Sequence, residues 1–379
     1  MVKVGTQASS GNSASDEDNK YFTASQWQLV WWRFRRHRGA LIGGCVLLGM
    51  MIVSLFAGFF APYEGTTRDR NYILGPPQFV QFWDHKGFSL RPFVHAFKTT
   101  RNPVTLQKIA TVDPDVRRYL TFFVRGDRYE ILGFFKGRLH LFGIEDGKVH
   151  IFGTDDLGRD LFSRTLFATG TSMSIGIVGV LISFFLALII GGIAGYLGGW
   201  IDSVIQRTTE IVRVVPVIPL FMGLAAAFPK EWSNVQVYFA MTIVLGLLGW
   251  PTLARRIRGH LLSQRNEDYV LAAELAGASN YRVISKHLLP SFTSYIIVDL
   301  VITFPYTILS ETALSFVGLG LRPPSVSWGI LLQDAQNIRA IEQAPWLFVP
   351  ALFVVVAVLA FTILGDGLRD AADPYQVSD

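Results

Sequence analysis

The sequence predicts an all-α polytopic membrane protein, and three observations support this fold class. Half of the 379 residues are hydrophobic, only 17% are charged, and the mean hydropathy is +0.36, which is too apolar for an ordinary soluble domain. Several apolar runs reach the roughly 20 residues that a helix needs to cross a bilayer. Arginine is concentrated in alternate connecting segments, as the positive-inside rule expects of a multi-pass protein.

The chain begins with a polar segment that leads into the first apolar run. Residues 1–20 are rich in Ser, Asn, Gly and Asp and lack periodicity, which predicts a disordered cytoplasmic tail. The rest of 1–38 has an apolar face before a cluster of arginines, which indicates an interfacial elbow helix. The run 39–61 would rise about 34 Å as a helix, so we interpret it as transmembrane helix 1. A cleaved signal peptide is less favoured, because its apolar region would be about half as long. The apolar face comprises Trp27, Val30, Trp31 and Phe34.

Residues 62–165 form the longest polar stretch of the chain. Four arginines precede the first span, so the positive-inside rule places this stretch outside the cytoplasm. We expect a small periplasmic β-containing insertion between transmembrane helices 1 and 2, at about 68–150, that contacts another subunit; a self-contained decoration is the alternative. Turn signals lie at Gly126-Asp127 and Asp146-Gly147. The predicted strands are 119–124, 129–132, 138–142 and 148–152.

Residues 166–366 are predicted to hold transmembrane helices 2–6, so that six spans leave both termini in the cytoplasm. Pro216 and Pro219 interrupt the third span, and broken helices often line pathways. Gly191, Gly195 and Gly199 recur at every fourth residue and predict a smooth strip for close helix packing. A loop at 255–290 and a tail at 367–379 are expected in the cytoplasm. The predicted later spans are 171–195, 211–228, 237–254, 291–315 and 346–364.

The segment 269–290, between two of these spans, combines small residues with a helical pattern. Ala272, Ala273, Ala276 and Gly277 fall on neighbouring helical positions, so another protein can approach the backbone there. Asn280 and Tyr281 interrupt the pattern, and a second short helix follows as far as Pro290. We therefore predict a helix-turn-helix hairpin that serves as a docking element.

This segment resembles the loop shared by the membrane subunits of binding-protein-dependent ABC importers. Leu271 stands where that family has Glu, and His287 stands where the general pattern has Ile, although His-hydrophobic-Leu-Pro is similar to the peptide-transporter branch. The residues that match the pattern itself are Ala272, Ala273, Gly277, Leu289 and Pro290. The resemblance implies that the hairpin couples this chain to an ATPase through Ala272, Ala273, Gly277, Arg282, His287, Leu289 and Pro290.

Two further strings resemble the oligopeptide, dipeptide and nickel branch of these importers. One is Gly-Thr-Asp, two residues, Gly-Arg-Asp, two residues, Ser-Arg, at 153–164. Its chemistry alone also fits a capped amphipathic helix with Thr154 or Asp155 as N-cap. The other comprises 311–320 with the Pro-Pro and Trp-Gly pairs that follow. The insertion resembles that of the Yej-type oligopeptide permeases.

Three residues of the fifth span are candidates for the translocation pathway. Pro305 interrupts the span, and Asp299 and Glu311 are costly in lipid, so they should face the interior of the bundle. Glu311 either contacts a peptide amino terminus or gating partner, or makes a buried structural hydrogen bond. No catalytic or metal site is predicted, because Cys45 is the only cysteine and the seven histidines lack ligand spacing.

The resemblance implies a permease subunit with the six-helix fold of type I ABC importers, in a bacterial inner membrane. Its implied partners are a second homologous permease, two ATP-binding subunits, a periplasmic peptide-binding protein and membrane lipid. The sequence has no Gly, four residues, Gly-Lys-Ser/Thr string, so ATP and Mg²⁺ would bind the partner ATPases and this chain would hold no cofactor and be no enzyme.

Other classes of function fit the sequence less well. A secondary transporter would show an internal repeat and ion-coupling residues at the bilayer midplane, and neither is evident. An intramembrane hydrolase would need paired catalytic groups within spans, yet His260 and His287 fall in the cytoplasmic loop. Nucleic-acid binding is disfavoured because the basic residues flank apolar runs. An importer of the same branch for nickel or opines stays open beside the peptide importer.

Overall fold

The computed structural model describes residues 26–101, 108–131, 135–145, 147–229, 231–337 and 342–372. The predicted disordered tail at 1–20, and the part of the predicted C-terminal tail beyond Ala372, lie outside these residues. Within the described part, a helical bundle carries one antiparallel sheet between its first and second long helices. The all-α prediction with a β-containing insertion therefore describes the architecture correctly.

The helices divide into long apolar ones and short connectors. A π-helix over Val283–Leu288 and a turn over Leu289–Ser291 continue α9, and a 3₁₀ turn over Pro345–Phe348 precedes α12. In chain order the helices are α1 Gln26–Arg36, α2 Arg38–Leu55, α3 Ala57–Phe60, α4 Leu161–Leu197, α5 Gly199–Val214, α6 Val217–Ala227, α7 Asn234–Gln264, α8 Asp268–Leu275, α9 Asn280–Arg282, α10 Thr293–Phe316, α11 Trp328–Asp334 and α12 Val349–Ala372.

Five helices in the described part are long and apolar enough to cross a membrane: α2, α4, α7, α10 and α12 with its 3₁₀ turn. The pair α5 and α6 gives a sixth span if the two are counted together, and it bends by 77°. The bend lies at Val215 and Pro216, because proline lacks the N–H needed to continue α5. The predicted interruption of the third span is found at Pro216, whereas Pro219 lies inside α6.

Both ends of the described chain lie at the same end of the bundle. Phe34 of α1 packs with Ala40 and with Ala371 of α12, and the His37 imidazole lies 3.8 Å from the Asp370 carboxylate. A chain that enters and leaves at one end crosses an even number of times. Counting the bent pair as one span gives six candidate spans in the described part, an even number.

The inner helices pack closely through two of the three predicted glycines. A Cβ added to Gly191 would lie 2.5 Å from the Ala254 carbonyl oxygen of α7, and one on Gly195 would lie 2.8 Å from Leu261. Small residues are what let helix backbones approach to this degree. The prediction is wrong for Gly199, which has no atom within 4 Å and instead supplies a φ of 59° at the start of α5.

The inserted sheet has four antiparallel strands in the order β1-β2-β3-β4. The long β3 pairs with β2 along its first half and with β4 along its second half, and a register shift separates Arg125 from Tyr129. The buried side chains of the sheet, among them Val94, Leu120 and Phe142, pack with Val149 beside the start of α4. The strands are β1 Gln81–Asp84, β2 Gly87–Arg101, β3 Lys108–Ile131 and β4 Phe135–Ile144.

Several local predictions for the insertion are wrong. Gly126-Asp127 lies inside β3, because the glycine there accommodates the shift in register and makes no turn. Residues 148–152 form no strand and run as a loop whose backbone bonds to Gln78. The strands β1 and β2 had no counterpart in the prediction. Leu132 and Asp146, which belong to predicted elements, lie outside the described residues.

The capped helix starting at Thr154 or Asp155, which the chemistry of the string at 153–164 also fits, does not form. Thr154 and Asp155 stand in a loop, and the N-cap is Asp160, whose carboxylate accepts the Ser163 N–H at 2.7 Å. The long α4 begins directly after it, so it starts well before the predicted span at 171. At the other end of the chain, α12 continues to Ala372, past the predicted limit of the last span at 364.

Candidate functional site

The segment 268–291 folds into the predicted helix-turn-helix, here named the 268–291 hairpin. Val270, Val283 and Leu288 are completely buried and pack with α7 side chains such as Leu261. Burying such side chains contributes about 1.5–3 kcal/mol each. The hairpin is therefore fixed to the bundle by its inward face, and α8 with α9 can move only together with the helices beneath them.

Gly277 ends helix α8 in a left-handed conformation with a φ of 78°. The Gly277 N–H bonds to the Glu274 carbonyl at 2.9 Å and the Ala278 N–H bonds to the Ala273 carbonyl at 3.0 Å, the pattern of a Schellman motif. A Cβ at Gly277 would meet no atom within 4 Å. The glycine is needed here for the backbone turn, a reason that the sequence pattern did not reveal.

The outward face of the hairpin exposes large apolar side chains beside charged ones such as Glu274 and Arg282. Leu275 at the end of α8 is 91% exposed and Tyr281 in α9 is 82% exposed. Ala272 is exposed and Ala273 half-buried between them. Large apolar side chains held this far out of a folded chain mark an interaction surface.

The second half of the hairpin carries the remaining predicted coupling residues. Arg282 and Pro290 are exposed, whereas His287 within the π-helix and Leu289 directly after it are half-buried. The Tyr196 hydroxyl of α4 donates to the Glu274 carboxylate at 2.8 Å. Tyr196 therefore ties the hairpin to the C-terminal end of α4, a contact that joins residues far apart in the sequence.

Glu311 is buried in the bundle and holds three helices together. Its carboxylate accepts the Ser172 hydroxyl of α4 at 3.0 Å and the Ser315 hydroxyl of α10 at 2.8 Å. The Ser172 oxygen in turn accepts the N–H of Trp328, the first residue of α11, at 3.1 Å. These contacts are those of a structural hydrogen-bond network, one of the two roles considered from the sequence.

The other two predicted pathway residues occupy different places along α10. Asp299 pairs with Arg256 of α7 at 2.8 Å and keeps part of its side chain exposed. Pro305 is buried in the middle of the helix. Since Asp299 and Glu311 are twelve residues apart, they lie about 18 Å apart along the helix axis. The structure does not gather these three residues into one site.

A buried charge network at the opposite end of the bundle was not predicted from the sequence. The Asp155 carboxylate accepts the backbone N–H groups of Leu157 and Arg159 at 2.9 and 2.8 Å, and also binds the guanidinium groups of Arg159 and Arg164. Arg164 reaches on to Asp334 of α11 at 3.0 Å. Burial raises the pKa of the Asp334 carboxyl, and the neighbouring arginines oppose that shift.

This network explains the string at 153–164 in physical terms. The Thr154 hydroxyl accepts the Gly75 N–H at 2.7 Å, and the Thr154 carbonyl accepts the Trp346 indole N–H at 3.0 Å. Asp160 caps α4 and binds the His150 imidazole at 2.9 Å. The residues of the string hold the loop, α4 and the start of α12 together.

Comparisons with known proteins agree with this arrangement. Residues 187–376, which include the whole hairpin, match the family described as binding-protein-dependent transport system inner membrane component. The chain belongs to this family. Residues 25–77 of the inner membrane component match the N-terminal transmembrane domain of oligopeptide transport permease C, so 78–186 lie between the two matched regions.

Curated relatives of this inner membrane component are named as peptide permeases. It is 40% identical over 221 residues to the dipeptide transport system permease protein DppC of Bacillus subtilis (strain 168), covering 58% of this chain and 67% of the relative. It is 37% identical over 220 residues to the oligopeptide permease OppC of the same strain, covering 58% and 70%. The glutathione permease GsiD of Pectobacterium atrosepticum is 36% identical over 218 residues, covering 58% and 70%.

Proposed function

We propose that this chain is the permease subunit of an ATP-driven, binding-protein-dependent importer for peptides or peptide-like compounds. Membership of the inner membrane component family supports the role in transport, and the names of the dipeptide, oligopeptide and glutathione relatives support the substrate class. Importers of nickel or opines are the alternatives within the same branch. In this proposal the chain forms half of the pathway and hydrolyses no ATP itself.

The observation that carries the proposal is the 268–291 hairpin, which is buried on one face and exposes Leu275 and Tyr281 on the other. An ATP-binding subunit that docks on Leu275 and Tyr281 would push on an element that cannot slide over the bundle, so its movement would pass directly to α4 and α7. Within the docking surface we place the exposed Ala272, Arg282 and Pro290 and the half-buried Ala273, His287 and Leu289, while Gly277 shapes the turn. ATP and Mg²⁺ belong to that partner.

A second permease subunit is proposed to cover α5 and α6. The exposed side chains of this bent pair include Ile211, Val214 and Met222. They also include an ion pair between Arg207 and Glu210, whose guanidinium and carboxylate lie 2.9 Å apart. Charges in a membrane-crossing segment are costly against lipid and usually face protein or water. The pair α5–α6 is thus a suitable wall between two permeases.

For the pathway itself we favour Asp299 over the other predicted residues. Its partly exposed carboxylate beside Arg256 is accessible to a moving solute, whereas Glu311 and Pro305 are enclosed by their own chain. We assign Glu311 the task of fastening α4, α10 and α11. Pro305 is proposed to weaken the hydrogen bonding of α10 at its middle.

The orientation that fits this function places the hairpin and both termini in the cytoplasm of a bacterial inner membrane. The arginines of α7 support it, since Arg255, Arg256 and Arg258 lie close to the hairpin. The insertion between α3 and α4 then lies in the periplasm, on the side where a peptide-binding protein delivers its substrate.

The proposal is tested with Leu275→Glu in the complex assembled with its ATP-binding subunits and binding protein. A charge on the docking face should reduce co-purification of the ATP-binding subunits by about tenfold, corresponding to 1.4 kcal/mol of docking energy. Peptide uptake should fall with it. The matched control is Leu90→Glu, because Leu90 is similarly exposed but lies on the inserted sheet.

Two results would contradict this function. Normal ATPase association and peptide-stimulated hydrolysis with Leu275→Glu would remove the docking role of the hairpin. Uptake of nickel or an opine, with no uptake of any peptide, would leave the transport function intact and replace the substrate class.

A further inference from the structure

The hairpin formed by β3 and β4 is attached directly to the outer end of the first span. A Cβ placed on Gly58 of α3 would lie 2.5 Å from the Tyr129 ring of β3, so the two elements are in tight contact. The His140 Nδ1 of β4 lies 2.6 Å from the Ala61 carbonyl oxygen. Only Phe56 separates α2 from α3, and α3 is four residues long, which is about 6 Å. The hairpin therefore sits about one helical turn beyond the span.

The surface of this hairpin exposes aromatic rings beside the span. Phe123 is 62% exposed and its ring centroid lies 6.4 Å from that of Phe59 in α3; Phe135 of β4 is 71% exposed, and Phe122 is exposed as well. Phe123 also adopts a φ of 57°, a left-handed conformation that is unfavourable for a residue with a Cβ. Unfavourable backbone of this kind tends to persist where it serves a function.

Four basic side chains accompany these rings, and all of them are exposed. Lys136 pairs with Glu130 at 3.5 Å, while Arg125, Arg128 and Arg138 have no acidic partner among the residues that the structure describes. Asp127, the other acidic residue in the half of β3 that pairs with β4, accepts the Thr67 hydroxyl at 2.9 Å and so is already engaged. The exposed surface is aromatic and cationic.

This surface continues the apolar outer face of α2. The α2 residues that face outward run along the helix to Phe56, and the contact between Phe59 and Phe123 extends them onto β3. Aromatic rings beside arginine and lysine at the end of a span are the composition of a membrane–water interface. The outward-facing residues of α2 that lead to this contact are Leu48, Met51, Ile52 and Leu55.

We propose that the β3–β4 hairpin binds the head groups of anionic phospholipids in the leaflet beside it. The rings of Phe123 and Phe135 enter the interfacial region, and the guanidinium groups of Arg125, Arg128 and Arg138 bind lipid phosphates, for which their planar donor geometry is suited. This surface belongs to the insertion and lies outside both regions that match a family, which end at residue 77 and begin again at residue 187.

Lipid is favoured over a protein partner because of the position of the surface. These rings prolong the exposed apolar stripe of a span, and a protein docked on the insertion alone would leave that stripe uncovered. Attraction between basic side chains and anionic lipid decays within a Debye length, so it acts on groups held next to the membrane, as these are. Under this proposal, the predicted contact between the insertion and another subunit would be made by other parts of the sheet.

The test uses the full chain in nanodiscs and a fluorescent label on the hairpin. Cys45, the only cysteine, is replaced in Cys45→Ser, and Phe135→Cys carries a bimane label. The discs contain phosphatidylcholine alone or with phosphatidylglycerol, plus phosphatidylcholine spin-labelled on its head group as quencher. A second label at Lys98→Cys serves as control, because it is far from the proposed lipid-binding surface. Lys98 pairs with Thr111, and Thr111 lies 14 residues before Arg125 on β3, a distance on the order of 40 Å along the strand.

We expect the label at 135 to be quenched, more strongly with phosphatidylglycerol, and the label at 98 to stay unquenched. The double variant Arg125→Gln/Arg138→Gln should lose the phosphatidylglycerol-dependent part of the quenching. The matched double variant Arg91→Gln/Lys98→Gln removes the same charge from β2 and should retain it.

Three outcomes would overturn the proposal. One is a label at 135 that is no more quenched than the label at 98. Another is quenching that is the same with and without phosphatidylglycerol or that persists unchanged in Arg125→Gln/Arg138→Gln. The third is a label that becomes shielded only when the purified substrate-binding protein is added, which would assign the surface to a protein.

Discussion

The two ends of this bundle are held together by different chemistry. At the end that carries the 268–291 hairpin, apolar side chains such as Val283 and Leu288 are buried against α7, and glycines let α4 and α7 approach each other. At the insertion end, the contacts are polar and enclosed: Asp155 with Arg164, Asp160 with His150, and Thr154 with Gly75. The first kind of contact tolerates small shifts in position, whereas the second depends on direction and distance.

This difference suggests how the permease divides its work. Apolar helix contacts can be repacked at modest cost, which suits the end where an ATPase is proposed to push. A buried ion pair that loses its partner is strongly penalised, so the insertion end resists rearrangement. The region matched by the transport family contains the adaptable end and also Asp334 of the rigid end, on which the unmatched insertion is built.

The largest expected effect is an all-or-none reporter signal that shows on which side of the membrane each end of the bundle lies. A reporter active only outside the cytoplasm should be on when fused after Gly147 and off when fused after Ser263 or after Asp373, because the two ends lie on opposite sides of the membrane. The fusions are compared at equal expression. The reverse pattern would exchange the roles of the two ends and remove the hairpin from the reach of an ATPase.

The next largest effect is expected from Asp155→Asn. The Asp155 side chain is completely buried with two guanidinium groups, so removing its charge should lower the free energy of unfolding by about 3 kcal/mol. Thermal unfolding of the purified chain in detergent measures the change. Asp156→Asn is the control, since that side chain is 62% exposed and its pair with Arg159 is long, at 4.0 Å. Equal stability of the two variants would show that the insertion end is not held by the network.

A smaller effect is expected at the other end, from Gly191→Ala. The added Cβ would press on the Ala254 carbonyl oxygen and should destabilise the bundle by about 1–2 kcal/mol through overpacking. The neighbouring Gly192→Ala meets no atom within 4 Å and should be neutral or slightly stabilising, because alanine favours helix. The same unfolding assay compares them. Identical shifts would mean that α4 and α7 repack freely and that close backbone approach is unimportant.

Local pattern was sufficient to predict the helical architecture. Apolar run length located the spans, proline located the break at Pro216, and the spacing of small residues located the 268–291 hairpin. These features depend on neighbours within one or two turns of chain. The position of the basic residues near the 268–291 hairpin could likewise be predicted from local sequence.

Contacts between distant residues account for what the sequence did not reveal. Nothing near Asp155 indicates that Arg164 and Asp334 would enclose it, so the local chemistry alone fitted a capped helix as well. The register shift in β3 absorbs Gly126-Asp127, a pair that elsewhere makes a turn. Gly277 shows a subtler limit: its importance was predicted, but small size and left-handed backbone both select glycine and only the φ distinguishes them.

Helix α4 runs uninterrupted from the cap at Asp160 to Leu197, and its two ends are fastened to different partners. Its 37 residues make a rod about 56 Å long. Tyr196 attaches one end to the 268–291 hairpin, and Asp160 and Arg164 clamp the other to the loop that precedes α4 and to α11. A rod of that length is a lever: a tilt of about 5° about one end carries the other about 5 Å sideways. Because α4 has no break between its ends, a displacement applied at one membrane surface also moves the end of the helix at the opposite surface.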